Sequence, residues 1–229
     1  MLRDLLTLLT EAMSRVSMTE GLADTVYMVS ASSFIALAAG LPLGVVLSVT
    51  AEGGILRNKP LNSVLSCAVN IGRSVPFVIL MIALIPITRK IVGTSIGVSA
   101  AIVPLSAAAV PFIGRVVESS LREVDPGVIE AAQSMGATPF EIIRKVLLPE
   151  GLPGIIAGFT LTVINLVGYS AMAGIIGGGG LGVIAVRYGY QRFMPDVMAV
   201  TVVILVVMVQ LVQIAGDKLA SLARHDRKN

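Results

Sequence analysis

Glu130-Ala131-Ala132-Gln133-Ser134-Met135-Gly136, then Val146-Leu147-Leu148-Pro149, lead directly into Gly151–Val186, a run without a single charged residue. A membrane span needs about 20 mostly apolar residues, and the run supplies more than that. The stretch before it reads as a short, well-capped helix–turn–helix. A chain needs no such element to cross a bilayer. It needs one if something on the aqueous side must grip it.

Working outward, three more charge-free runs appear: Thr25–Thr50, Ile91–Gly114 and Val197–Gly216. A fifth apolar region, Leu61–Thr88, is interrupted only by Arg73. Of the 229 residues, 55% are hydrophobic and only 14% charged, and the mean hydropathy is +0.89. A soluble domain carries about 25% charge. The expectation is an all-α membrane protein with about five transmembrane helices, forming a single domain over residues 1–229.

The net charge of +3 matters less than its placement. With the Glu130 segment on the cytoplasmic side, five spans put the N-terminus outside and the C-terminus inside. Ten basic residues then face inward and six outward, with Arg73 unassigned. This follows the positive-inside rule. The basic tail from Arg224 to Lys228 is a topology anchor, and no nucleic-acid partner is implied. Cys67 is the only cysteine and has no intramolecular partner. No cleavable signal peptide is expected, because the first long apolar run starts late and exceeds a signal's apolar core.

Residues 1–20 read as an amphipathic segment. Leu2, Leu5, Leu6, Leu9, Met13 and Val16 recur at three- and four-residue intervals. This fits either a helix lying on the membrane or an extension of the first span. The first span holds Gly40, Pro42 and Gly44, the second Pro76 and Pro86, the third Pro104 and Pro111. Prolines predict kinks, and the small residues of span three predict close helix packing. Arg73 is an ionisable group near membrane depth, a functional candidate by default. It also suits the cytoplasmic start of a shorter span, Ser74–Thr88.

The helix–turn–helix of residues 125–150 is defined by local chemistry. Asp125 is an N-cap and Pro126 suits the first helical position. Gly136 stands where a left-handed C-terminal cap is wanted. Thr138, Pro139 and Glu141 make a second start with a capping box. The second helix is expected to run to about Leu148 and to be ended by Pro149. Val128, Ala132 and Met135 are expected on one face of the first helix, and Phe140, Ile143 and Leu147 on one face of the second.

These residues resemble the signature of ABC importer permeases: Glu-Ala-Ala, three residues, Gly, nine residues, Ile, any residue, Leu-Pro. The only departure is Val146 in the Ile place. The resemblance implies a type I ABC importer permease fold and a coupling role for Glu130, Ala131, Ala132, Gly136, Leu148 and Pro149, docked against a cytoplasmic ATPase. A narrower resemblance, to methionine-import permeases, covers nearly the whole chain. It rests on the five-span plan and on four stretches: Asn70–Phe77, Ile91–Gly97, Met135–Pro139 and Val167–Met172. It implies a homodimer in the bacterial cytoplasmic (inner) membrane with two copies of an ATP-binding subunit. It also implies an extracytoplasmic methionine-binding protein and surrounding lipid.

No Gly-Lys-Ser or Gly-Lys-Thr occurs, so the chain has no phosphate-binding P-loop. It is expected to be a transport subunit rather than an enzyme and to bind no cofactor; ATP-Mg belongs on the partner. Gly177, Gly179 and Gly182 satisfy G-x-G-x-x-G, but they lie in an apolar run with no acidic residue at position 202. The run Gly174–Gly182 is instead expected to break the fourth span near the outer face. Met172, Tyr169 and Ser170, just before it, are translocation or gate candidates together with Arg73. Two other functions are weighed. An ion-coupled secondary transporter or channel would often carry Asp, Glu or His in its spans; the clear apolar runs have none, which argues against proton coupling but not against sodium coupling through backbone carbonyls. A membrane scaffold would explain the docking element but not the kinked spans.

Overall fold

The computed structural model describes residues 17–225, and all regular structure among them is helical. Most of the amphipathic segment expected over residues 1–20, and the end of the basic tail, lie outside the described residues. Helix α1 (Met18–Thr50) runs without a break through Pro42. Helix α2 (Lys59–Ser74) is capped by Asn58, whose side chain accepts from the Leu61 N–H at 3.2 Å. Short helices α3 (Phe77–Ala83) and α4 (Ile85–Val92) follow, then α5 (Val98–Arg122). Next come α6 (Pro126–Ser134), α7 (Pro139–Ile142) and a π-helical turn, Ile143–Leu147. Helix α8 (Leu148–Ile175) continues directly from that turn. Helix α9 (Gly180–Ile184), a second π-helical turn (Ala185–Tyr190) and α10 (Pro195–His225) complete the described chain.

Among the described residues, four helical segments are long and apolar enough to cross a membrane: Met18–Thr50, Val98–Arg122, Pro139–Ile175 and Pro195–Arg224. The pair α2 and α3 makes a fifth if its halves serve as one broken span. The expected five spans therefore stand with one correction. The region Leu61–Thr88 is not a continuous helix, nor is the shorter Ser74–Thr88. Its prolines do not kink a helix; Pro76 caps the start of α3, and Pro86 occupies the first turn of α4. Proline lacks the N–H that a helix interior needs but lacks nothing at a helix start. In Pro139–Ile175 the charges Glu141, Arg144, Lys145 and Glu150 precede the apolar run, so the span proper follows Glu150. Only 17% of the most apolar window of Pro195–Arg224 is buried, so its exposed valines and leucines call for lipid.

The chain divides into two compact units. One comprises the residues up to Phe34 with Pro76–Ser106 and Val163–Val212. Its core includes Met18, Ile184, Val197 and Val200, packed by Tyr188, Met194 and Ile204. Within it, Thr25 is buried and works in two directions. Its hydroxyl donates to Gly21 O at 2.9 Å and accepts from the Leu181 N–H at 2.9 Å. That bond satisfies one of the orphan amides at the start of α9.

The other unit comprises Ile35–Val75, Ala107–Thr162 and the residues from Gln213. Here α1 and α5 approach closely: a Cβ on Gly44 would lie 2.5 Å from Gly114 O. The end of α1 is closed by α2, because Asn62 Nδ2 donates to Leu47 O at 2.7 Å and to Thr50 Oγ1 at 3.1 Å.

Candidate functional site

The Asp125–Glu150 element is built by side chains that occupy orphan backbone groups. Asp125 Oδ1 accepts from the Gly127 N–H at 2.8 Å, starting α6. At the other end Gly136 N donates to Gln133 O at 2.9 Å and Ala137 N donates to Ala132 O at 3.1 Å. Those two bonds form a Schellman motif, which requires a left-handed residue. Gly136 has φ +81 and nothing within 4 Å of where a Cβ would stand, so backbone conformation alone asks for glycine.

Helix α7 opens with the expected capping box. Glu141 N donates to Thr138 Oγ1 at 3.4 Å, and Thr138 N donates to Glu141 Oε2 at 3.1 Å. The Thr138 hydroxyl donates to the same oxygen at 2.9 Å, and Lys145 Nζ lies 3.0 Å from Oε1. The Thr138 N–H is the main cause, followed by Lys145 and the Thr138 hydroxyl, of a Glu141 carboxyl held at about 2 rather than 4.5.

Two expectations need correcting here. Pro149 does not end the second helix; the helix runs on into α8. The accommodation is the π-helical turn Ile143–Leu147, in which Leu148 N donates to Ile143 O, five residues back. An α-helix would collide with the proline ring at the carbonyl four residues before it, and the wider turn sits at that place. The apolar faces also divide differently. Ala132, Ile142 and Leu147 are buried, whereas Val128, Met135 and Phe140 are 43%, 81% and 68% exposed. The element thus seats itself with its small or inward apolar residues and presents a separate apolar surface.

Of the signature residues, Glu130, Ala131, Gly136 and Pro149 are exposed, Leu148 is half-buried and Ala132 is buried. Behind α6 lies a cavity of about 450 Å³, lined among others by Glu52, Arg122, Ile129, Glu130, Gln133 and Leu147.

The other candidates do not gather into one site. Tyr169 stacks on Phe77, with ring centroids 4.5 Å apart and planes 5° from parallel. Ser170 is buried, and its hydroxyl donates to Val167 O of its own helix at 2.7 Å. Met172 is 43% exposed. Arg73 belongs to the other unit, where its guanidinium lies 5.4 Å from the centre of the Phe112 ring, in the last turn of α2.

A cluster missed by the sequence reading lies at the end of α5. Glu118 is buried between Arg115 Nη1 at 2.6 Å and Arg122 Nη2 at 3.1 Å. The spacing of three and four residues around an acid is visible in the sequence, but there Arg115 and Arg122 enter only the count of inward-facing basic residues. Among the described residues no group of His, Cys, Asp or Glu is placed to hold a metal ion.

Residues 40–223 match the family described as binding-protein-dependent transport system inner membrane component. The chain belongs to this family. The permease is 57% identical over 201 residues to the probable D-methionine transport system permease protein MetI of Vibrio cholerae, covering 88% of this chain and 89% of the relative. It is 54% identical over 157 residues to the D-methionine transport system permease protein MetI of Escherichia coli K12, covering 69% and 72%. It also matches a chain of a solved structure described as inward facing conformations of the MetNI methionine ABC transporter. That match has 52% identity and a TM-score of 0.86, and covers 87% of this chain and 93% of the other. The permease therefore has the type I importer fold, is an integral inner-membrane protein, and is a transport subunit rather than an enzyme.

Proposed function

We propose that this permease is the membrane-spanning translocation subunit of an ATP-driven methionine importer, moved by a separate ATPase through residues 125–150. The observation that carries the coupling role is the build of that element. It is capped at both helix starts, turned by Gly136, and presents Val128, Met135 and Phe140 outward while running without a loop into α8. A docked partner therefore pushes on a span directly. Glu130, Ala131, Ala132, Gly136, Leu148 and Pro149 form the coupling site, and ATP-Mg resides on the partner. The working unit is two permeases with two ATP-binding subunits, served by a methionine-binding protein on the outer face. The N-terminus is outside and the C-terminus inside. The whole chain acts as one transmembrane domain.

Methionine as substrate is supported by the relatives, whose names carry it over most of their length. Met172, half-exposed beside the glycine break, is the gate candidate, with Tyr169 and Ser170 on the same helix turn and Arg73 elsewhere on the pathway. Unchanged uptake and unchanged basal ATP hydrolysis in Met172→Ala would remove Met172 from that role.

The decisive experiment is uptake of labelled L-methionine into proteoliposomes holding this chain, its ATPase and the binding protein on the outer side. Uptake that requires ATP and disappears under excess unlabelled methionine is the expected result. Assembled complexes that hydrolyse ATP without moving methionine would discard the substrate. Uptake driven by an ion gradient without ATP would replace the mechanism with a secondary carrier.

A further inference from the structure

Helices α2 and α5 are fastened at two levels one helical turn apart. At the first, Arg115 Nη2 donates to Asn70 Oδ1 at 2.7 Å. At the second, Arg73 lies over the Phe112 ring. Residues 70 and 73 share a face of α2, and 112 and 115 share a face of α5, because residues three apart are neighbours on a helix surface.

The first fastening does not stop at Asn70. The same Arg115 donates through Nη1 to Glu118 Oε2 at 2.6 Å. The Glu118 side chain is only 2% exposed, and its second oxygen lies 3.1 Å from Arg122 Nη2. That oxygen is held by charge and by no aligned hydrogen bond. Arg122 in turn lines the cavity behind α6 with Ile129, Glu130 and Gln133. A series of polar contacts, Asn70–Arg115–Glu118–Arg122, thus leads from the last turns of α2 to the underside of the coupling element.

Its links are unequal. A carboxylate buried between two guanidiniums is strongly destabilised if it loses a partner, so Glu118 keeps its arginines. Asn70 offers only a neutral acceptor, and its single bond to Arg115 is weaker than the paired charges that hold Glu118. The contact that gives way first is therefore Arg115 to Asn70.

We propose that Arg115 and Asn70 form a latch between α2 and α5 that holds the present conformation and opens when the coupling element moves. Arg115, Glu118 and Asn70 are positioning residues; none is required to touch substrate. The proposal rests on the coupling role assigned above to residues 125–150.

The test uses the assembled transporter with a nitroxide on Cys67, the only cysteine of this chain, exposed on α2 one turn before Asn70. Asn70→Ala removes the acceptor. It should raise label mobility, raise substrate-free ATP hydrolysis about fivefold, at the lower end of coupling between sites, and lower methionine moved per ATP. Asn70→Asp supplies a charged acceptor to Arg115. It should leave the label no more mobile, lower both hydrolysis and uptake, and not lower the melting temperature. An Asn70→Ala complex with unchanged label mobility and hydrolysis would overturn the latch. So would two variants that change in the same direction and in step with melting temperature. Wild-type complexes that hydrolyse ATP but move no methionine would defeat the substrate reading only, since the Cys67 spectra still decide the latch.

Discussion

Span α8 is flanked by a helix–turn–helix before it and a glycine break after it, and the two are made of different material. The element before α8 is held by side chains at its surface: Asp125, Thr138 and Glu141 each occupy a group the backbone leaves open, and Lys145 pairs with the Glu141 carboxylate. The break after it, from Ile175 to Gly180, is held mainly by backbone against backbone, with the Thr25 hydroxyl as the side chain at its end. Gly177, Gly179 and Gly180 all have positive φ, and Gly97 N donates to Gly177 O at 2.9 Å. A Cβ on Gly174 would stand 2.5 Å from Val183 N. The first construction tolerates change in one cap at a time. The second has almost no slack, because main chain cannot step aside as a side-chain end can.

The sharpest way to break that comparison is Gly174→Ala. Overpacking against main chain should cost about 3 kcal/mol, seen as a lost or lowered thermal transition in detergent. A stable Gly174→Ala protein would show that the break is not close-packed. Next is Thr25→Val, which keeps shape but strands the buried Leu181 N–H. It should cost about 2 kcal/mol by the same measurement, and no change would mean another acceptor takes over.

In the side-chain-built element, Gly136→Val meets no neighbour and suffers only from its φ, about 1–2 kcal/mol of local strain. It should uncouple ATP hydrolysis from uptake, while Gly136→Asn, which tolerates that conformation, should retain most transport. Full uptake in Gly136→Val would count against coupling through this turn. Thr138→Ala removes one half of the capping box and should cost about 1 kcal/mol, read as faster proteolysis within residues 137–148.

The smallest effect is that of pH. Glu141 sits at about 2 in the folded element against an ordinary 4.5. Its contribution is therefore complete above pH 4.5 and is lost as pH falls toward 2. Hydrogen exchange of the α7 amides should quicken, relative to Glu141→Gln, across that window. An identical pH response in Glu141→Gln would show that the box does not titrate.

What could be read in the sequence follows the same division. Asp125, Gly136 and Thr138 announced their structure because caps act within four residues, and the glycine break announced itself by composition. The inward turn of Ala132 and Leu147, the bond of Thr25 to Leu181 across 156 positions and the Glu118 cluster depend on partners that no local pattern names. The split of Leu61–Thr88 at Pro76 is signalled by the proline alone, while the apolar continuity of the run fits one unbroken span equally well. Pro149 misled in the opposite sense: its usual role as a helix stop was overridden by the wide turn before it.

That wide turn, Ile143–Leu147, has one further consequence. A π-helical turn is an α-helix carrying one surplus residue. Remove it, and everything toward the N-terminus rotates by about 100° about the axis of α8, the angle per residue of an α-helix. The outward faces of Phe140 and Met135 would swing away with it. The number of residues between Thr138 and Pro149 therefore acts as an angular setting between the part of the molecule that meets a partner and the part that meets lipid. A one-residue deletion there would leave both parts folded and aim one of them wrongly.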